Sequence, residues 1–365
     1  MVTDTLFWKN KKVLITGHTG FKGSWLAFWL LSMGADVWGY ALGPNKDQKL
    51  FTSLFIDDAS HFQSLGGMHH RIGDIKCVDE LIKVCKEAQP DIVFHLAAQP
   101  LVQQSYIDPL DTWLVNVQGS LHLLESLKLA CNKKTAVVMI TTDKVYKNNN
   151  WDFGYRETDS LGGHDPYSAS KAAAEIAIAS WRSSFCGTEK GQTPQLLIST
   201  ARAGNVIGGG DWSTNRIFPD IIRAIQNKKP IQLRNPDSTR PWQHVLEPLS
   251  GYLKLAEKMY CYGDQFCQAY NFGPDIQSCR SVKDLTEEVL THCHGSWIDA
   301  SSKAPHEAFR LHLNSDKSFN HLGWQPQWSF EKTIEATINW YLKAYNGHDV
   351  AECCMHDISD FVSTS

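Results

Sequence analysis

Val13-Leu14-Ile15-Thr16-Gly17-His18-Thr19-Gly20-Phe21-Lys22-Gly23 is the stretch that decides the fold. A continuously apolar run leads into three glycines at steps of three, and a helical pattern from Ser24 to Met33 follows. In that setting glycines allow a tight turn, close approach of backbone to a pyrophosphate and close helix packing. The helix N-terminus adds unpaired N–H donors. A dinucleotide is therefore expected against Gly17, Thr19, Gly20, Phe21, Lys22 and Gly23.

Outward from this loop, short apolar runs alternate with helix-length segments: Lys12 to Thr16, Ser24 to Met33, Asp36 to Ala41, then Ile92 to Leu96 and Ala136 to Thr141. Strands that alternate with helices predict a parallel sheet covered on both faces, and buried parallel strands are apolar throughout. Beyond Thr200 the rhythm loosens into turns such as Gly208-Gly209-Gly210 and Asn235-Pro236. The expected fold class is α/β, a Rossmann-type doubly wound parallel sheet with a smaller, irregular C-terminal substrate lobe. Residues 1-203 form the dinucleotide-binding domain, rejoined by about 239-265. Residues 204-238 and 266-345 form the second lobe, and 346-365 a C-terminal tail.

Composition narrows the function. A chain of 365 residues can bury a large core, and a formal net charge of -4 gives no field for holding nucleic acid or anionic membrane. Trp25 to Met33 is about half the length of a membrane span. The 10 cysteines are scattered without a framework, and Met1 to Lys12 lacks signal-sequence character, so a reduced cytoplasmic protein is expected. His292-Cys293-His294 has no second ligand pair at zinc spacing and reads as a polar helix end, so no metal is expected.

The acid that often bonds an adenosine ribose about 20 residues beyond such a loop is missing from Trp38-Gly39-Tyr40-Ala41-Leu42-Gly43. Asp36 lies at the wrong end of its strand. With no basic group for a 2′-phosphate, NAD is preferred over NADP. Gly73-Asp74-Ile75 is the candidate for the adenine edge, through Asp74 and Ile75.

Tyr167-Ser168-Ala169-Ser170-Lys171 places Tyr and Lys at i and i+4, on one helix face. This pair follows by 23 residues the strand end Thr141-Thr142-Asp143-Lys144. A doubly wound sheet meets its ligand at such carboxyl ends. Tyrosine, with an ordinary pKa of about 10, is a poor base, but an adjacent ammonium and a cationic nicotinamide favour its phenolate. Tyr167 could then take a proton from a sugar hydroxyl as hydride leaves, with Thr142 holding that hydroxyl in line.

Taken in order, the glycine loop, Leu96-Ala97-Ala98-Gln99, Asn116, Thr142-Asp143-Lys144, Tyr167-x-x-x-Lys171, Arg202-Ala203-Gly204-Asn205-Val206-Ile207-Gly208 and Arg240-Pro241-Trp242-Gln243-His244-Val245 resemble the extended short-chain dehydrogenases acting on nucleotide sugars. The resemblance runs from about Phe7 to about Trp340. The longer strings Gly17 to Trp25, Ala98-Gln99-Pro100-Leu101-Val102 and Gly208-Gly209-Gly210-Asp211-Trp212 resemble members that dehydrate CDP-linked glucose.

That resemblance implies tightly bound NAD, oxidation of the hexose at carbon 4, loss of water across carbons 5 and 6, and hydride return to carbon 6. It implies cofactor contacts from Leu96, Ala97, Ala98, Asn116, Tyr167 and Lys171. Substrate contacts fall to Gln99, Asn205, Arg216, Arg234 and Arg240, and Arg suits a diphosphate. It also implies an acid role for Asp143 and a homodimer or homotetramer. Two positions depart from the pattern. Lys144 stands where thymidine-linked relatives carry a glutamate base, and Gln104 where many relatives have Arg. Lys144 is either the carbon-5 base or a cation that stabilises the enolate. A nucleotide-sugar epimerase or decarboxylase of the same fold, or a dinucleotide-binding sensor, are the alternatives. Neither needs acid/base work at Asp143 and Lys144.

Overall fold

The computed structural model describes residues 4–46, 48–57, 67–186, 196–214, 216–301 and 311–364. Its frame is the predicted alternation. In chain order come β1 (Lys12–Thr16), α1 (Phe21–Ser32), β2 (Asp36–Ala41), β3 (Met68–Ile72), α2 (Val78–Ala88), β4 (Ile92–His95), α3 (Gly119–Ala130), β5 (Thr135–Ile140), α4 (Pro166–Phe185) and β6 (Leu196–Ala203). The chain continues through β7 (Val206–Ile207), α5 (Ile217–Gln226), β8 (Ile231–Leu233), β9 (Thr239–Pro241), β10 (Gln243–His244), α6 (Leu246–Tyr262), β11 (Ala269–Phe272), β12 (Cys279–Ser281), α7 (Val282–His292), β13 (Trp297–Asp299), α8 (Phe330–Tyr345) and α9 (Val350–Ser363).

Among the described residues the main sheet has seven strands in the order β11-β6-β5-β4-β1-β2-β3. Every pairing in it is parallel. Strand side chains alternate between faces. Val13 and Ile15 join Phe94 and Val138 in one core, whereas Leu14 joins Val93, Val137 and Met139 in the other. The first core is closed by α1 and α6, the second by α2, α3 and α4. Strand order turns between β1 and β4. The glycine loop and the segments after β4 and β5 consequently open on the same edge, where ligands of such sheets bind.

Two boundaries differ from the sequence expectation. Ala269–Phe272 pairs in register with Thr200–Ala203 as the edge strand β11. The stretch returning to the main sheet therefore runs to Phe272 instead of ending near residue 265. The expected C-terminal tail, as far as its described residues 346–364 go, is likewise folded. Helix α9 is capped by Asp349, whose side chain accepts from the Ala351 amide, and it buries Cys354, Ile358 and Phe361. Phe361 meets Trp29 edge-on at 6.1 Å. A helix apolar on all sides, as α1 is from Trp25 to Leu31, must be covered on its outer face too, and α9 does that.

The second lobe holds α5, α7, α8 and three two-stranded pairings: β13 with β8, β12 with β9, and β10 with β7. Ser281 and Asp284 cap α7 reciprocally, which sets its start directly after β12.

Candidate active site

Gly17 adopts φ +75°, a left-handed conformation that favours glycine. A Cβ there would lie 2.6 Å from the Ala97 amide nitrogen, so the turn after β1 touches the segment after β4. A Cβ on Gly23 would lie 2.2 Å from the Gly17 carbonyl oxygen, so the first turn of α1 packs onto the loop. Gly20, at the N-cap of α1, would meet only the Gly17 carbonyl oxygen, at 3.4 Å. The loop is thus closed against protein at Gly17 and Gly23 and open at Gly20. That cradle fits the pyrophosphate of a dinucleotide.

His18 points away from this cradle. Its ring lies under β2, where a Cβ on Gly39 would come within 2.5 Å of it, and its Nε2 is 2.6 Å from His70 Nδ1. Burial, then the neighbouring His70, pushes His18 down to about 3, so it packs as a neutral ring. At the end of β2, Tyr40 donates to the Asp74 carbonyl oxygen at 2.9 Å. Asp74 does reach the edge beside β2, half-exposed and 3.4 Å from Lys76 Nζ. Ile75 is buried in the core against Gly119, so its side chain is occupied by packing.

After β4 the chain passes close over β1. The Leu96 amide donates to the Thr16 carbonyl oxygen at 3.0 Å, and the Ala97 amide to Thr16 Oγ1 at 3.4 Å. The Gln99 side chain is held within its own loop. Its Nε2 donates to Thr112 Oγ1 at 2.9 Å and its Oε1 accepts from the Leu101 amide at 2.6 Å. Both ends of the amide are occupied in shaping the loop. Asn116 acts as a clamp: Oδ1 accepts from the Gln99 amide, and Nδ2 donates to the Gln99 carbonyl oxygen and to Ser170 Oγ. It ties that loop to α4, between Tyr167 and Lys171 in sequence.

Just beyond β5, Thr142 caps a single tight turn, Asp143–Val145. Its hydroxyl donates to Asp143 Oδ1 at 2.9 Å and contacts Tyr167. Lys144 Nζ lies 3.3 Å from Asp143 Oδ1, with Asp143 buried and Lys144 about one-third exposed. Asp165 caps α4, Pro166 opens it, and Tyr167 and Lys171 face inward from its first turns. Burial pushes the Tyr167 phenol up, while Lys144 and the Thr142 contact pull it down. The cation that most favours its phenolate here is therefore Lys144, where the sequence pointed to Lys171. Lys171 Nζ donates to the Ile140 carbonyl oxygen at 3.4 Å, and burial pushes it down to about 8 against the opposing charge of Glu175.

Several of these parts lie within electrostatic reach of one another. Lys22, in the glycine loop, is pushed down to about 7 by burial and then by Arg216, with Asp143 acting against them and Lys171 and Lys144 lowering it further. Arg216 also acts on Tyr167, and its Nη1 is 3.3 Å from Asp211 Oδ2. Gly204 abuts Asp143, since a Cβ there would lie 3.1 Å from Asp143 Oδ2, which brings Asn205 to the same wall. Arg240 is half-buried on β9, with Nη1 donating to the Thr239 carbonyl oxygen. Arg234 stands further out, half-exposed and 3.7 Å from Asp220. Sequence reasoning missed Glu175, whose signal was a second charged residue four positions beyond Lys171 on a helix face that is otherwise alanine-rich.

A doubly wound sheet with a glycine cradle, an inward Tyr/Lys pair and an adjoining acid and lysine defines a dinucleotide-linked enzyme of sugar nucleotides. Residues 14–337 match the family model described as GDP-mannose 4,6 dehydratase, and the chain belongs to that family. It is 43% identical to the CDP-glucose 4,6-dehydratase of Salmonella typhimurium over 99% of each chain. It is 26% identical to the mouse dTDP-D-glucose 4,6-dehydratase, over 94% of this chain and 92% of that one. Among solved structures, the dTDP-glucose 4,6-dehydratase of Streptomyces venezuelae, with NAD and TYD bound, superposes with a TM-score of 0.74 at 21% identity. That match covers 93% of this chain and 99% of the other.

Proposed function

We propose that this chain converts CDP-glucose to CDP-4-keto-6-deoxyglucose and water, with NAD bound throughout. The observation that carries this reading is the meeting of Thr142, Asp143, Lys144 and Tyr167 in one hydrogen-bonded group beside the glycine cradle. The nucleotide is taken from the 43% identity to the Salmonella enzyme.

Gly17, Gly20, Gly23 and the N-terminus of α1 would hold the cofactor's pyrophosphate, and Tyr167 and Lys171 its nicotinamide half. The chemistry a bound NAD supplies is acceptance of hydride from carbon 4 and its return to carbon 6. Tyr167 takes the carbon-4 hydroxyl proton, and Thr142 holds that oxygen in place. The resulting ketone acidifies the adjacent carbon-5 proton. With the proton that the pair shares sitting on Asp143, Lys144 removes that carbon-5 proton and Asp143 gives its own to the departing carbon-6 hydroxyl. The Lys144 ammonium then returns a proton to Asp143 across 3.3 Å. Asn205, Arg216, Arg234 and Arg240 grip the nucleotide diphosphate from the second lobe.

The ten free thiols suit a reducing compartment, and we place the reaction in the cytoplasm. No helix among the described residues is long and apolar enough to cross a membrane. Exposed Ile107, Leu110 and Leu114, with Ile176 on α4, give an apolar face for a second copy of this chain. Light scattering should accordingly return at least a dimer mass. The activity is tested by incubating the protein with CDP-, dTDP-, UDP- and GDP-linked glucose and identifying products by mass spectrometry and NMR. Loss of water from CDP-glucose supports the proposal, and an epimer of unchanged mass contradicts it.

A further inference from the structure

Glu175 lies one helical turn beyond Lys171 on α4 and is buried. A carboxylate in such a place must have its oxygens fully satisfied. Thr141 Oγ1 donates to Oε1 at 2.5 Å and Arg202 Nε to the same oxygen at 2.9 Å. Thr200 Oγ1 and Arg202 Nη2 donate to Oε2 at 2.8 and 2.9 Å. Burial pushes the carboxyl up, but Arg202 and the two threonines more than reverse this, so it stays ionised.

The donors come from the pieces that build the site. Thr141 directly precedes Thr142-Asp143-Lys144. Thr200 and Arg202 sit on β6, which runs into Gly204 and Asn205 against Asp143. Arg202 continues outward, with Nη1 donating to the Tyr146 hydroxyl at 2.7 Å, and Tyr146 donating to Asn271 Oδ1 of β11 at 2.7 Å. The charged and titratable groups around Glu175 are Lys171 and Arg182 on its own helix, Arg202 from β6, and Tyr146 behind Arg202. Buried His95, on β4, faces Lys171 from the other side.

We propose that Glu175 is the positioning residue of this active site: its carboxylate ties the helix of Tyr167 and Lys171 to the strands leading into Thr142-Asp143-Lys144 and Asn205, and supplies the negative charge facing the Lys171 ammonium. This rests on the reading that Tyr167 and Lys171 run the redox step. Without that charge Lys171 loses its proton at lower pH.

Glu175→Gln alone leaves Arg202 buried without a counter-ion. The informative variant is therefore Glu175→Gln with Arg202→Met, checked by thermal melting, beside the conservative Glu175→Asp. Two quantities are measured: the pH dependence of kcat and KM with CDP-glucose, and the Lys171 titration by NMR of ε-¹⁵N-lysine protein, assigned by the signal lost in Lys171→Met. In the folded double variant kcat should fall about 10²-fold with KM little changed. The alkaline limb and the Lys171 titration should both move down by about one unit, and Glu175→Asp should restore part of both. A folded double variant with wild-type pH profile and Lys171 titration would overturn the proposal. A titration that moves under an unchanged kcat profile upholds Glu175 and sinks the redox role of Lys171 instead.

Discussion

Lys144 Nζ and Asp143 Oδ1 stand 3.3 Å apart at the end of the strand that also presents Thr142. A base and an acid so paired suit an elimination, in which one proton is taken from carbon 5 while another is given to the hydroxyl leaving carbon 6. Lys144→Ala should therefore stop dehydration while still permitting oxidation at carbon 4. Carbon-5 hydrogen exchange in heavy water, followed by NMR, is the check. Exchange at the wild-type rate would remove Lys144 from the base role.

Tyr167→Phe keeps the ring that α4 buries and deletes the hydroxyl that contacts Thr142. Loss of a positioned proton acceptor should lower kcat by about 10²- to 10⁴-fold, with a melting temperature near wild type. Steady-state kinetics and calorimetry on the same preparation test this.

Asp357, on α9, is buried with Oδ2 unpartnered, and burial pushes it up to about 7. Its folded pKa lies above the unfolded value of about 3.9, so the stability it contributes is present below pH 4 and lost as pH rises through 7. Asp357→Asn should leave stability near pH 4 unchanged and raise it at pH 8. Urea denaturation at the two pH values measures the difference.

Phe361 is fully buried and packs edge-on against Trp29 of α1 and Trp328. Phe361→Ala opens a cavity over the glycine-loop helix and should cost about 3–5 kcal/mol. A denaturant midpoint within error of wild type would show that α9 is dispensable to the core.

The parallel sheet was legible because β1, β4 and β5 are short, continuously apolar runs that alternate with helix-length segments. The glycine loop was legible because its spacing matters only between a strand and a helix. Edge strand β11 was not: four residues, Ala269 to Phe272, carry too little pattern, and their place is set by pairing with β6. Helix α9 went unread because the buried Asp357 interrupts its apolar stripe, although the all-round apolarity of α1 already required a cover. The loop of Gln99 and Asn116 was legible, but their bonds to Thr112, Leu101 and Ser170 were not, because sequence order does not show which segments meet. Glu175 stayed hidden for the same reason, since its four donors come from segments up to 34 residues away.

The central claim is that hydride leaves carbon 4 and returns to carbon 6 of the same sugar, and CDP-glucose deuterated at carbon 4 tests it most directly. The account predicts a 4-keto-6-deoxy product with the deuterium at carbon 6. Deuterium retained at carbon 4 of an epimer, or a dehydrated product with none at carbon 6, would contradict it.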